Sequence, residues 1–207
     1  MIPVLHADDA LLAVDKPAGL ASIPERDPSA DCLLARLVAL HGRLLVVHRL
    51  DKGVSGVLVF ARTEQAHRAL CVQFEARRVA KTYLALVEGE MPGEAGRIDA
   101  PLRTFGSGRT GVDLARGKPC VTDWRVLERR PGSTLLEVSP LTGRRHQIRA
   151  HLWSVGHPIA GDERYGGRGG PGPPPPRLML HALALDVDHP ATGARLRLAA
   201  PAPVEFA

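Results

Sequence analysis

A chain of 207 residues and 22.2 kDa is long enough for one sizeable core and short for two ordinary domains, so a single domain is expected. Hydrophobic residues at 44% and charged residues at 24% exclude a disordered, collagen-like or coiled-coil chain, and no apolar run approaches the roughly 20 residues that span a bilayer. The charge balance, 27 Lys and Arg against 22 Asp and Glu for a net +5, rests on arginine, since only four residues are lysine.

The opening Met1-Ile2-Pro3-Val4-Leu5-His6 lacks the basic-then-apolar order of a secretory signal, so a cytosolic protein is expected. An arginine-rich surface suits phosphate, because the planar guanidinium binds its oxygens at two points. Equally, Ala, Arg, Gly and Pro are all abundant here, as genome base composition alone would make them. Cys32, Cys71 and Cys120 are odd in number and in no zinc-ligand or redox spacing, and read as reduced, mostly buried thiols.

In chain order, Ala10 to Val14 reads as a strand stopped by the Pro17-Ala18-Gly19 turn. Cys32 to His41 places Leu33, Leu34, Leu37 and Val38 at helical spacing, with Ser29 or Asp31 available as the cap. Leu44–Val47 and Val57–Ala61 read as strands on either side of the polar insert 48–56. A helix capped by Thr63, with Ala66, Leu70 and Phe74 on one face, runs to Arg77-Arg78. A strand follows at 81–87, and 88–118 reads as a loop-rich hairpin region. Strands are expected at 121–128 and 134–139. A helix at 146–155 turns Ile148, Leu152 and Val155 inward and stops at Gly156-His157-Pro158. The Gly/Pro-rich stretch 166–176 reads as a loop, and strands at 178–187 and 194–198 close the chain. The pattern predicts an α+β fold with a mainly antiparallel, mixed sheet and flanking helices.

Two blocks carry candidate chemistry. His48-Arg49-Leu50-Asp51 stands between two apolar runs, so Asp51 is either a nucleophile or base kept ionised by neighbouring cations, or an acid that merely pairs with Arg49 or caps the turn. Thr142-Gly143-Arg144-Arg145-His146-Gln147-Ile148-Arg149 loads a Gly turn and a helix start with positive charge. Arg145 and Arg149 at i, i+4 would share one helix face, and the block is otherwise a solvated basic helix end.

The first block, extended to Ser55-Gly56, resembles the HRLDxxTSG signature of the RluA-type pseudouridine synthases. The second, extended to His151, is similar to their TGRxHQIRxH. Asp15-Lys16-Pro17-Ala18-Gly19 resembles their NKPxG, Lys81-Thr82-Tyr83 their KxY, Gly156-His157-Pro158-Ile159-Ala160-Gly161-Asp162 their GHPIxGD, and Leu180-His181-Ala182 their LHA. The motifs follow family order over roughly residues 8 to 203. Val54 stands where threonine is usual, Asp15 where asparagine is usual, and Arg145 at a variable position. Ser22-Ile23-Pro24-Glu25-Arg26 and Gly117-Lys118-Pro119 further resemble the subgroup acting on both a tRNA and a large-subunit rRNA.

The resemblance implies the pseudouridine synthase catalytic fold with a central RNA-binding cleft, as a single domain over 1–207 without the S4 domain that several relatives carry. It also implies isomerisation of uridine in a tRNA or rRNA stem-loop by a cytoplasmic monomer, with no metal and no cofactor. The target nucleotide would have to flip out of its stack for the sugar and base to be reached. Asp51 would be the essential carboxylate, Arg149 its partner, and Tyr83 the ring stacked on the flipped uracil. Arg49 would fill the space the base vacates, His48 would be structural or touch RNA, and Arg144, Arg145, His146, Arg164 and Arg168 would contact the RNA. The rival readings are a non-catalytic RNA-binding or ribosome-assembly protein on the same fold, and a nucleoside hydrolase.

Overall fold

The computed structural model describes residues 1–25, 30–166 and 174–207. In chain order the elements are β1 (Val4–Ala7), β2 (Leu11–Lys16), α1 (Leu33–His41), β3 (Leu45–Val46), β4 (Ser55–Ala61), α2 (Glu64–Glu75), β5 (Ala80–Glu88), β6 (Ala95–Asp99), β7 (Leu102–Thr104), β8 (Thr110–Val112), β9 (Val121–Arg130), β10 (Ser133–Pro140), α3 (Gln147–Ser154), β11 (Leu180–Asp188) and β12 (Arg195–Ala199), with a closing 3-10 turn at Val204–Phe206. The fold is mixed α+β, and its sheet is mostly antiparallel. No helix among the described residues is long and apolar enough to cross a membrane. The proposed cap Ser29, the motif residue Arg26, Arg168 and most of the 166–176 loop lie outside the described residues.

The chain divides into two compact units. The first holds Met1–Lys81 and Ala182–Pro201, the second Thr82–His181 and Ala202–Ala207. In the first unit β2 pairs with β1 on one side and β4 on the other. Leu11 and Ala13 alternate with their neighbours, as do Val57, Val59 and Ala61, and this set packs against Ala66 and Leu70 of α2 and Leu185, Val187 and Leu198 of β11 and β12. Every residue of β4 is buried, so the strand before which Asp51 sits is covered on both faces. Gly56 belongs to that strand. Its φ is 110°, and a Cβ there would run into the Ala182 backbone, so only glycine fits.

Helix ends account for most differences from the sequence reading. The α1 cap is Cys32 and not Asp31. Cys32 accepts the Ala35 N–H on its sulfur, while Asp31 is spent on an ion pair with Arg36. Thr63 caps α2 as expected, with Oγ1 accepting from Ala66 N–H at 3.1 Å. That helix stops two residues short of Arg77-Arg78, because Arg77 turns left-handed at φ 57° and the N–H groups of Arg77 and Arg78 return to the carbonyls of Phe74 and Gln73, a Schellman closure built without glycine. The same closure ends α3 at Gly156, whose φ is 88°. There Gly156 and His157 donate to Trp153 and Leu152. Val155, expected inward, sits at this cap and is exposed. Cys32, Cys71 and Cys120 are free thiols, two of them buried.

In the second unit β5, β10, β9 and β6 form a run of antiparallel neighbours, and β7 and β8 form a separate hairpin. The Gly/Pro-punctuated region 88–118 therefore holds not only the expected hairpin but also β6. The buried polar residues of α3 tie the helix to β9. Gln147 accepts on Oε1 from Thr142 Oγ1 and Arg144 N–H, and donates from Nε2 to Val121 O and Thr122 Oγ1. His151 bonds Thr122 and Ala100 O.

Candidate active site

Asp51 sits in the loop between β3 and β4, and its neighbours in sequence are held by the segment that follows β2. The hydroxyl of Ser22 donates to Leu50 O at 2.7 Å and accepts from Leu50 N–H at 3.1 Å. Gly19 N–H donates to Lys52 O at 2.8 Å. Lys16, fully buried, donates from Nζ to Pro17 O, Leu20 O and Lys52 O at 2.8, 2.7 and 3.3 Å. A buried ammonium is costly unless its donors are matched, and here carbonyls of both chain segments match them, so the charge pins the Pro17–Leu20 turn to the residue after Asp51. Asp51 O in turn accepts from Val54 N–H at 3.0 Å. Val54 itself is buried, which suits an apolar residue where the family prefers threonine.

The flanking His48 and Arg49 have opposite surroundings. His48 Nε2 accepts the Val59 N–H at 3.1 Å and its ring stacks on Phe74 at 4.8 Å, so that nitrogen carries no proton. Burial, reinforced by the Lys81 charge, pulls its pKa down to about 3, and His48 is thus a neutral prop for β4. Arg49 is exposed and has no acid partner among the described residues. Lys81, at the start of β5, is brought down to about 8 by burial and by Arg77.

A second cluster in this unit joins His6, Asp8 and His189. Asp8 Oδ2 lies 2.6 Å from His6 Nε2 and 2.8 Å from His189 Nε2. His189 Nδ1 accepts two backbone N–H groups, from Ala191 and Thr192, which places the ring proton on Nε2, facing Asp8. No lone pair is then left there for a metal. Partial burial works to raise the Asp8 pKa, but the bonds from His6, Leu11 N–H, His189 and Ala10 N–H outweigh it and hold the carboxyl well below the usual range. The cluster staples β1 to the turn after β11.

In the second unit Tyr83 lies on β5 opposite Val138 of β10, half-buried. Arg149 projects from α3, where Asp162 takes its Nε and Nη2 at 2.7 and 2.8 Å and the Tyr165 ring lies 5.2 Å from its guanidinium carbon. The sequence reading paired Arg149 with Asp51, a residue of the other unit; it assigned no role to Asp162, although the residue closes the GHPIxGD motif. Arg145 does not share a helix face with Arg149. His146, the N-cap, is left-handed at φ 52°, so α3 begins after it and Arg145 belongs to the preceding turn. His146 Nδ1 contacts the Tyr165 hydroxyl at 3.1 Å.

Arg144, Arg145 and Arg164 are exposed, and none has an acid partner among the described residues. A Cβ built on Gly108, at the tip of the β7–β8 hairpin, would lie 3.7 Å from Arg164 Nη1 and 4.0 Å from Arg145 Nη2. Arg109 follows in the same turn. It is held by aromatic rings, with its guanidinium carbon 4.2 Å from the centre of Trp153 and 5.1 Å from that of Tyr165. No sequence signal marked Arg109 or Trp153, whose contact spans 44 residues of chain.

The family model described as RNA pseudouridylate synthase matches residues 10–154. The dual-specificity RNA pseudouridine synthase RluA of Vibrio vulnificus is 39% identical over 195 residues, covering 90% of this chain and 78% of that protein. The ribosomal large subunit pseudouridine synthase D of Pseudomonas aeruginosa is 38% identical over 223 residues, covering 99% and 69%. Among solved structures, human RNA pseudouridylate synthase domain containing 1 superposes with a TM-score of 0.83 at 29% identity, over 98% of this chain and 84% of that one. With its motifs in order along the chain and these likenesses over nearly all of it, the chain belongs to the RluA-type RNA pseudouridine synthases, enzymes that isomerise uridine in RNA.

Proposed function

We propose that the substrate is a stem-loop of tRNA or large-subunit rRNA, and that Asp51, Tyr83 and Arg149 are the catalytic residues of one domain, 1–207, acting as a cytoplasmic monomer. The dual-specificity and large-subunit names of the relatives support the two RNA classes. The observation that carries the assignment of Asp51 is the bracing of its loop. The backbone on both sides is anchored by Ser22, Gly19 and Lys16, the preorganisation a reacting carboxylate needs.

In the reaction the N1–C1′ bond of a flipped uridine breaks, the uracil turns, C5 bonds to C1′, and the C5 proton is lost while N1 gains one. Asp51 acts at the sugar as nucleophile or base. Tyr83 stacks on the uracil and offers its hydroxyl for the proton at C5. Arg49, exposed and without an acid partner among the described residues, stands in for the extruded base, and Arg144, Arg145 and Arg164 hold phosphates. Arg168, in the stretch of sequence that follows Arg164, is assigned to the same clamp.

Release of tritium from C5-labelled uridine in RNA measures turnover directly. Asp51→Asn should abolish release while RNA affinity changes less than about tenfold, since phosphate contacts dominate binding. Substantial turnover by that variant rejects the assignment.

A further inference from the structure

The best-enclosed carboxylate beside the proposed machinery is Asp162. Its side chain has no exposed surface, and four N–H groups converge on it. Oδ2 accepts from Arg149 Nε at 2.7 Å; Oδ1 accepts from Arg149 Nη2 at 2.8 Å and from the backbone N–H groups of Arg164 and Tyr165 at 3.1 and 3.2 Å. The preceding Gly161 makes this possible. Its φ is 75°, and any Cβ there would run into the carbonyl of Arg177.

The turn that binds Asp162 also delivers Tyr165 to the face of the same guanidinium. The Tyr165 hydroxyl is fixed from two sides, by Thr110 N–H at 3.0 Å and by His146 Nδ1 at 3.1 Å. Arg149 is therefore held along one edge by a carboxylate and across one face by a ring. A guanidinium has two edges that can bind in parallel pairs. Asp162 uses the edge formed by Nε and Nη2, so its seat sets the direction in which the end-on edge with Nη1 points.

We propose that Asp162 is a positioning residue for the isomerisation, which fixes the end-on edge of Arg149 for the reacting nucleoside without itself touching RNA. This rests on the reading that Arg149 takes part in the chemistry. A two-point ionic seat in a buried site is a strong restraint on orientation, and misplacement of a catalytic group by about 1 Å costs on the order of 10²-fold in rate. Burial of Asp162 keeps it out of reach of a phosphate or base, so its effect has to appear in rate and not in affinity.

The test is single-turnover tritium release together with RNA affinity for Asp162→Asn, Arg149→Ala and the double variant. Asp162→Asn should lower the plateau rate by roughly 10²-fold, with affinity within about threefold of wild type. In the Arg149→Ala background the same change should cost less than about threefold more, because both substitutions remove one function. Rate reductions that multiply in full overturn the proposal. If Arg149→Ala is slow but Asp162→Asn is as fast as wild type, the positioning role alone falls; if Arg149→Ala keeps the wild-type rate, the underlying reading of Arg149 falls with it. Should Asp162→Asn fail to fold by circular dichroism, Arg149→Lys decides. It keeps the charge but not the two-point seat, and it should turn over about tenfold or more slowly with affinity unchanged, whereas a wild-type rate overturns the proposal.

Discussion

Within the second unit, arginines occur in two kinds of surroundings. On the strands they are matched with acids. Arg97 faces Asp123 across β6 and β9, Arg125 faces Glu137 across β9 and β10, and Arg130 and Arg129 reach Glu128 and Glu94. On the hairpin tip and the turns before α3 and after Asp162, Arg109, Arg144, Arg145 and Arg164 meet no acid among the described residues. Net charge alone, +5 over 207 residues, does not distinguish a basic surface from a salt-bridged one. Placement does, because a guanidinium already engaged by a carboxylate contributes little field, whereas unpaired ones sum to a potential that attracts phosphate. Arg109 shows how such a charge is held in place without being neutralised, since aromatic faces orient it and leave its charge intact.

The largest effect should come from the unpaired set. Removing Arg145 and Arg164 together should weaken binding of a stem-loop RNA by about tenfold per side chain at moderate salt, the scale of a charge-assisted hydrogen bond. The slope of log affinity against log salt should flatten by about 0.7 to 0.9 for each phosphate that is no longer neutralised. Titrations between about 50 and 200 mM salt measure both quantities. An unchanged slope would mean that these two arginines bind no phosphate, and the contrast between the two surroundings would lose its functional meaning.

His48 extends the contrast to a residue that the sequence reading left between structure and RNA contact. Its pKa of about 3 lies below the ordinary histidine value, so between that value and about 6.5 the unfolded chain binds a proton the folded chain refuses. Stability should therefore be fully present above about pH 6.5 and fall as pH drops through this window, with a slope of up to about 1.4 kcal/mol per pH unit. Gln can accept the Val59 N–H without titrating. The stability gap between wild type and His48→Gln, from urea midpoints, should shift steadily in favour of the variant as pH falls from about 7 to 4. A gap independent of pH would show that the ring is not held neutral.

Much of the fold is legible in the sequence because its signals are local. Thr63 before Ala66 and Leu70, the Gly156-His157-Pro158 stop, and the short apolar run of β2 ended by Pro17-Ala18-Gly19 each dictate their own structure. What is illegible depends on partners distant in the chain or on unusual backbone. Arg77 and His146 adopt left-handed conformations that side-chain-bearing residues rarely take, so α2 ends early and α3 starts late, and the supposed Arg145–Arg149 face disappears. Strand β6 hides in a Gly-rich stretch because its stability comes from pairing with β9, some 26 residues on. Asp51, Tyr83 and Arg149, the residues proposed for catalysis, can be picked out by resemblance. The residues that hold their surroundings, Lys16, Gln147 and Asp162, lie inside the same motifs, and only the hydrogen bonds reveal what they do.

The smallest expected effect is also the one that separates two explanations of the paired arginines. Either they take no part in RNA binding because carboxylates neutralise them, or because their face of the sheet does not meet RNA. Along β9, Thr122 and Trp124 point into the core, and α3 attaches to that side through Gln147 and His151. Asp123 and Arg125 alternate with them and so lie on the opposite face, while the unpaired Arg144 and Arg145 lead into α3 itself. If position decides, Glu137→Gln frees Arg125 yet leaves RNA affinity within about twofold and the salt slope unchanged, because an exposed pair of this kind contributes little either way. If neutralisation decides, the liberated guanidinium should bind phosphate and the slope should steepen by about 0.7 to 0.9. The opposed faces favour the first outcome, and a steeper slope in Glu137→Gln would show instead that the sheet face is part of the RNA-binding surface and that its acids serve to restrain it.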